Sequence, residues 1–206
     1  MVCYNVLYCD VFKYLELMNS IAVFCGSNFG HMPEYLQLTK ILATELVNRN
    51  IRLIYGGGAV GLMGAIADEV LLLGGEVIGV LPEKLAGAEI AHKGLTELHV
   101  VKTMHERKAL MAELSDAFIA LPGGIGTLEE IIEVFTWTQL GFHQKPCGLL
   151  NINGFYDKLN SFLLDMSKNG FLSEYHFKTL LINEDPADLL NELENQKIIY
   201  QPKWIK

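Results

Sequence analysis

The stretch Gly123-Gly124-Ile125-Gly126-Thr127-Leu128-Glu129-Glu130 has the residue types and spacing of an anion site with an acid beside it. Glycines let a backbone approach an anion without Cβ collisions. Where such a turn opens a helix, its free N–H groups and the positive end of the helix dipole suit a phosphate. The Thr127 hydroxyl can donate as well. Glu129 has a plain explanation, because the dipole favours an acid in a first turn. Glu130 lies one turn beyond Thr127, on roughly the same face. Helix-start electrostatics could explain it too, yet a carboxylate there repels a bound phosphate unless something stands between them. A sugar esterified to that phosphate would do so, and Glu130 therefore reads as an acid that acts on a sugar. Breaking a glycosidic bond develops oxocarbenium character at the anomeric carbon. A neighbouring carboxylate can stabilise that charge and orient or deprotonate water.

A second group is Met104-His105-Glu106-Arg107-Lys108. Lys and Arg in a first helical turn oppose the macrodipole. Two adjacent cations there need a reason, and an anionic ligand is one. Arg107 offers a planar fork to phosphate or carboxylate that Lys108 cannot. His105, Met111 and Trp137 read as packing residues. The Ser27 hydroxyl either meets a ligand or caps its turn, and Thr136, six residues beyond Glu130, lies across the helix from it.

These residues need strands and helices to hold them. Ala117 to Leu121 is an apolar run of strand length, and Leu128, Ile131, Ile132 and Phe135 recur at helical spacing after the glycine turn. Upstream, Ile21 to Phe24 reads as a first strand. A helix follows from Pro33 to about Asn50, then a strand from Ile51 to Tyr55 and a helix through Leu73. Glu76 to Leu81 and Leu98 to Val101 are further strands, and Met104 to Leu114 a further helix. A strand at Cys147 to Leu150 and a helix from Phe155 to Lys168 follow, and a peripheral helix over Pro186 to Glu194 closes the chain. Alternating strands and helices mean βαβ units and an open parallel sheet with helices on both faces. Ligands then bind beyond the carboxyl ends of the strands, so the loops after residues 24, 55, 81, 101 and 121 should gather on one edge.

The 206 residues, half of them hydrophobic, suit one α/β domain over residues 18–206. Residues 1–17 are too polar for a secretory core and too short to span a membrane. They read as an appendage outside the fold, whose deletion should leave thermal stability intact. A net charge of -8 argues against nucleic-acid or anionic-membrane partners. Cys3, Cys9, Cys25 and Cys147 lack metal or redox spacing and read as reduced thiols of a cytoplasmic protein. No HExxH pair suggests a metal. Gly56-x-Gly58-x-x-Gly61 formally matches a dinucleotide fingerprint, but no acid ends the following strand to hold a ribose. A tight turn at Gly58 that lets a nucleotide approach the backbone is the better reading.

Pro122-Gly123-Gly124-x-Gly126-Thr127-x-x-Glu130 and Met104-His105-Glu106-Arg107-Lys108 resemble the Lonely Guy family, cytokinin riboside 5′-monophosphate phosphoribohydrolases long labelled lysine decarboxylase-like. Phe24-Cys25-Gly26-Ser27, Tyr55-Gly56-Gly57-Gly58 and Trp137-x-Gln139-Leu140-Gly141 fit as well, over roughly residues 20–182. The resemblance implies a Rossmann-like homodimer, without cofactor, that hydrolyses a purine nucleoside 5′-monophosphate to free base and ribose 5-phosphate. By position, Arg107 and Glu130 fall on the catalytic pair, with Arg107 positioning Glu130 and keeping it ionised. Lys108 and the turn Gly123-Gly124-Ile125-Gly126-Thr127 fall on the monophosphate site. Ser27, Gly58, Glu89, Met104, Glu129 and Thr136 complete the nucleotide contacts. Asn28 and Ala59 depart from the family's serines. A non-catalytic nucleotide or molybdenum-cofactor carrier of the same fold is the alternative, and the Arg107/Glu130 pair favours the enzyme.

Overall fold

The computed structural model describes residues 18–86 and 91–201. Seven strands form one sheet, all parallel: β1 (Ser20–Phe24), β2 (Arg52–Tyr55), β3 (Val77–Pro82), β4 (Glu97–Val101), β5 (Ala117–Ala120), β6 (Cys147–Leu150) and β7 (Leu180–Asn183), in the order β4-β3-β2-β1-β5-β6-β7. Side chains alternate across the central strands. Ile21 and Val23 of β1, with Ala117 and Ile119 of β5, enter a core beneath α1 (Pro33–Asn48) and α2 (Gly61–Leu72). Ala22 and Phe24, with Phe118 and Ala120, enter the core on the other face, beneath α4 (Met104–Glu113) and α5 (Ile125–Leu140). A strand buried on both sides must be apolar throughout, which explains the continuous runs seen in the sequence.

The strand order reverses between β1 and β5, and the turns following those strands are joined: Gly26 N–H donates to the Pro122 carbonyl at 3.1 Å. Leu62 N–H, at the start of α2, donates to the Gly26 carbonyl at 3.1 Å. The Tyr156 hydroxyl donates to the Leu121 carbonyl at 2.6 Å, fixing the residue before the glycine turn. The ligand crevice of a doubly wound sheet opens at this reversal.

Four features depart from the sequence reading. A short helix α3 (Glu83–Ala86) follows β3, and α6 (Asp157–Lys168) leads through α7 (Glu174–Thr179) into the edge strand β7; α3, α7 and β7 were all unforeseen. The last helix, α8 (Pro186–Asn195), is not peripheral. Leu189 and Leu190 are fully buried and Leu193 is 1 % exposed, in the core shared with α1. Their spacing makes one apolar stripe, and burying it excludes that stripe from water. Leu190→Ala should cost about 2–5 kcal/mol, read as a lowered midpoint of thermal unfolding. Residues 1–17 lie outside the described part. Among the described residues, no helix is long and apolar enough to cross a membrane.

Candidate active site

The start of α4 explains how two cations come to face inward. Thr103 caps the helix: its hydroxyl accepts from Glu106 N–H at 3.1 Å, while Glu106 Oε2 accepts from Thr103 N–H at 3.3 Å and Lys102 N–H at 2.8 Å. Glu106 thereby meets the dipole's demand for an acid. Met104 and His105 point outward; His105 is exposed, so its reading as a packing residue fails. Arg107 and Lys108 turn in, each 8 % exposed.

Arg107 is held on three sides. Its Nε donates to the Val80 carbonyl of β3, 3.0 Å away, and Nη1 donates to Glu130 Oε1 and lies 3.6 Å from Met104 Sδ. The guanidinium also lies against the turn after β2, where a Cβ at position 56 would fall 2.2 Å from Arg107 Nη2. Burial pushes the Glu130 carboxyl above its ordinary value, and the Arg107 charge pulls it back only in part. The expectation that Arg107 keeps this acid ionised is therefore too simple. Desolvation outweighs the ion pair, leaving a carboxyl that takes up a proton more readily than a surface glutamate.

Lys108 is engaged by carboxylates of α5. Its ammonium bridges Glu129 Oε1 at 2.6 Å and Glu133 Oε2 at 2.8 Å, two carboxylates one turn apart on α5. Burial works to lower its pKa, but the two carboxylates prevail and raise it. Lys108 thus ties α4 to α5 and neutralises Glu129, whose partner is this lysine.

The glycine turn itself presents free donors. Gly124 occupies the N-cap of α5 in extended backbone, and no side chain caps the helix start. The first amides of a helix have no intrahelical acceptor, so they remain available to an anion. Thr127 is buried beneath Gly123, where a Cβ would lie 2.2 Å from its Oγ1. At positions 124 and 126 a Cβ would meet no atom within 4 Å, so both open outward, as does Ile125, which is 82 % exposed. If the turn receives a phosphate, Gly124→Ala and Gly126→Ala should leave thermal stability nearly unchanged while weakening phosphate binding at least tenfold, because each methyl would stand in the open space before the free amides. Calorimetric titration with ribose 5-phosphate, run beside thermal unfolding, checks this.

Across the turn, Ser27, Phe29, Tyr35 and Phe155 line a cleft of about 200 Å³ that reaches Gly123 and Gly124, which brings Ser27 to the same site. Gly58, after β2, is buried and bridges to Ala91. Thr136 is half-buried, and its hydroxyl donates to the Ile132 carbonyl at 2.7 Å. Glu89 lies outside the described residues. Two participants escaped the sequence reading, the Val80 carbonyl and Glu133, while Gly56 was read there only as part of a glycine turn. Of the two, only Glu133 left a trace, its four-residue spacing from Glu129. A larger open groove of about 1010 Å³ lies beside α6 and α7, where Ser173 caps α7 by accepting from His176 N–H.

The family model described as "Possible lysine decarboxylase" matches residues 63–193. The chain is 46 % identical over 189 residues to a cytokinin riboside 5′-monophosphate phosphoribohydrolase of Arabidopsis thaliana, covering 89 % of each. It is 49 % identical over 167 residues to the enzyme of that name from Rhodococcoides fascians, covering 81 % of this chain and 84 % of that one. The chain belongs to this phosphoribohydrolase family. Among solved structures, the molybdenum cofactor carrier protein of Chlamydomonas reinhardtii shares the fold, with a TM-score of 0.66 and 19 % identity over 87 % of this chain and 99 % of that one.

Neither lysine with a displaced pKa fits the decarboxylase description. An imine-forming lysine needs an accessible, readily deprotonated amine. Lys108 is held charged by two carboxylates. Burial lowers the pKa of Lys145, but its ammonium is committed to the Ala112 carbonyl at 2.7 Å, at the far edge of the sheet.

Proposed function

We propose that this chain hydrolyses the N-glycosidic bond of a purine nucleoside 5′-monophosphate, giving free base and ribose 5-phosphate. The observation that carries the reading is the buried Arg107–Glu130 pair set one helical turn beyond the uncapped glycine turn. The 5′-phosphate is received by the amides of residues 125–127 and the Thr127 hydroxyl. The ribose then extends along α5, and its anomeric carbon comes to the Glu130 carboxylate. As the bond from C1′ to the base breaks, its electron pair leaves with the base, and the growing positive charge at C1′ is met by Glu130. Water adds to C1′ and gives up one proton to Glu130, and that proton passes to the departing base, which leaves the carboxylate ionised again. Arg107 holds Glu130 in place. The phosphate contributes binding energy at a distance from the reacting carbon, where it can be used to orient it. The relatives' names place cytokinin ribotides among their substrates, and AMP is the simplest nucleotide of that class.

Incubation with AMP should release adenine and ribose 5-phosphate in equal amounts, resolved by chromatography. A folded protein that binds AMP and releases no base would overturn the reading in favour of a carrier. Parallel turnover of AMP, GMP and an isopentenyl-AMP ranks the bases.

The reaction needs Glu130 ionised, so activity rises as pH rises through its pKa. Because burial raises that pKa, the acid limb of kcat/KM should have its midpoint above the ordinary glutamate value of 4.5. Arg107→Met removes the charge that favours the ionised form and should move the limb further toward neutral pH. A limb at or below 4.5 in the unaltered protein would remove Glu130 from this role. We propose a homodimer as the working form, since Met104 and Ile125 stand exposed at the rim of the site, where a second copy would cover them. Light scattering reads its mass.

A further inference from the structure

Gly56 and its neighbours bear directly on Arg107, yet the turn from Gly56 to Gly58 is glycine throughout and has no side chain of its own to hold it. Glycine backbone has the widest conformational freedom of any residue, so a defined turn needs outside support. That support comes from the segment preceding β4. Gly58 bridges antiparallel to Ala91, and His92 N–H donates to the Gly57 carbonyl at 3.0 Å. The His92 ring is itself fixed at both nitrogens. Nδ1 accepts from Gly94 N–H at 3.0 Å, and Nε2 lies 2.9 Å from Asp68 Oδ1, on α2. An acceptor at Nδ1 leaves the proton on Nε2, which therefore donates to Asp68. The side chain of His92 is 11 % exposed, so this ring is packed as well as bonded.

We propose that His92 and Asp68 form a latch that sets the Gly56–Gly58 turn, and through it the guanidinium of Arg107 against Glu130. His92 is a positioning residue for the proposed hydrolysis and touches neither the nucleotide nor the reacting carbon. The path is continuous: Asp68 holds the ring, the ring places the His92 amide, that amide holds the Gly57 carbonyl, and Gly56 bounds Arg107 Nη2. The phosphate turn lies on a different strand and is not part of this path.

The latch rests on the proposed function only for its kinetic effect, so the test has two independent arms. In hydrogen–deuterium exchange, His92→Ala should speed exchange at the amides of residues 56–58 and 92 while leaving those of α5 unchanged. In AMP hydrolysis, His92→Ala should lower kcat about tenfold with KM within twofold, since misplacing a catalytic group costs rate without costing phosphate affinity. His92→Gln extends an amide toward Asp68 and should restore most of kcat, whereas His92→Asn keeps only the acceptor for Gly94 and should not. Asp68→Ala should reproduce His92→Ala. Unchanged exchange at 56–58, or a glutamine variant no better than alanine, would overturn the latch. If the unaltered protein hydrolyses no nucleotide, the functional reading fails and the exchange arm still decides the latch.

Discussion

Replacing Glu130 by Gln is expected to lower kcat for AMP by a factor of about 1,000 or more while KM moves less than threefold. A positioned acid or base contributes on the order of 100- to 10,000-fold, and in the proposed reaction this carboxylate also faces charge at the sugar carbon. Glutamine keeps the shape and an oxygen able to accept from Arg107 Nη1, so the guanidinium retains its place between α5 and the Val80 carbonyl. What vanishes is the negative charge and the capacity to take a proton. The phosphate turn stands a helical turn away and retains its amides, hence the stable KM. Thermal unfolding of the variant should lie close to that of the parent, because a carboxyl whose pKa burial has raised gains little from being ionised. Unchanged hydrolysis in this variant, with ribose 5-phosphate still bound, would refute the assignment outright.

Gly56→Ala is expected to cost at least a hundredfold in kcat for a loss of only about 1–3 kcal/mol in stability. The added methyl would sit 2.2 Å from Arg107 Nη2 and 3.4 Å from its Cζ, and the remaining near neighbour is the Met63 sulfur at 3.6 Å. No backbone atom is struck, so the sheet has no reason to shift. The guanidinium must move instead, and it cannot do so without surrendering the Val80 carbonyl or Glu130. One methyl therefore separates folding from chemistry. Thermal unfolding and kcat measured on the same preparation test this, and a variant with full activity would show that Arg107 tolerates displacement. Gly123→Ala differs in kind, since its Cβ would approach Gly26 N at 2.9 Å as well as Thr127 Oγ1, and it should damage both fold and site.

The contrast between these glycines marks where reading a sequence stops. The doubly covered strands announce themselves as apolar runs, and the turn before α5 is recognisable because its glycines, threonine and acids are adjacent in the chain. Arg107 and Glu130 could be suspected singly, from charge placed against a helix dipole and from an acid beside an anion site. Their pairing is implied only by the family resemblance, and their other contacts could not be suspected. Gly56 meets Arg107 across 51 residues of chain and Lys108 meets Glu133 across 25, and no local periodicity encodes such distances. The edge strand β7 was missed for a related reason. It follows α7 with no glycine or proline between them, and its identity comes from pairing with β6, Cys147 opposite Leu180. The misjudged α8 shows the limit of a stripe of leucines, which reveals an apolar face without revealing how deeply that face is covered.

Lys108 bears on how this protein meets its ligand in solution. Its ammonium is already matched by Glu129 and Glu133, and Arg107 by Glu130, so neither cation of α4 is left over to draw in an anion, on a chain whose net charge is -8. On the proposed reading, a doubly charged phosphate ester would approach against the field of that net charge and be gripped at contact by peptide dipoles of short reach. Raising ionic strength screens that repulsion and leaves the contact grip largely intact. Where a lysine-clamped phosphate site loses affinity in salt, this one should capture its nucleotide faster.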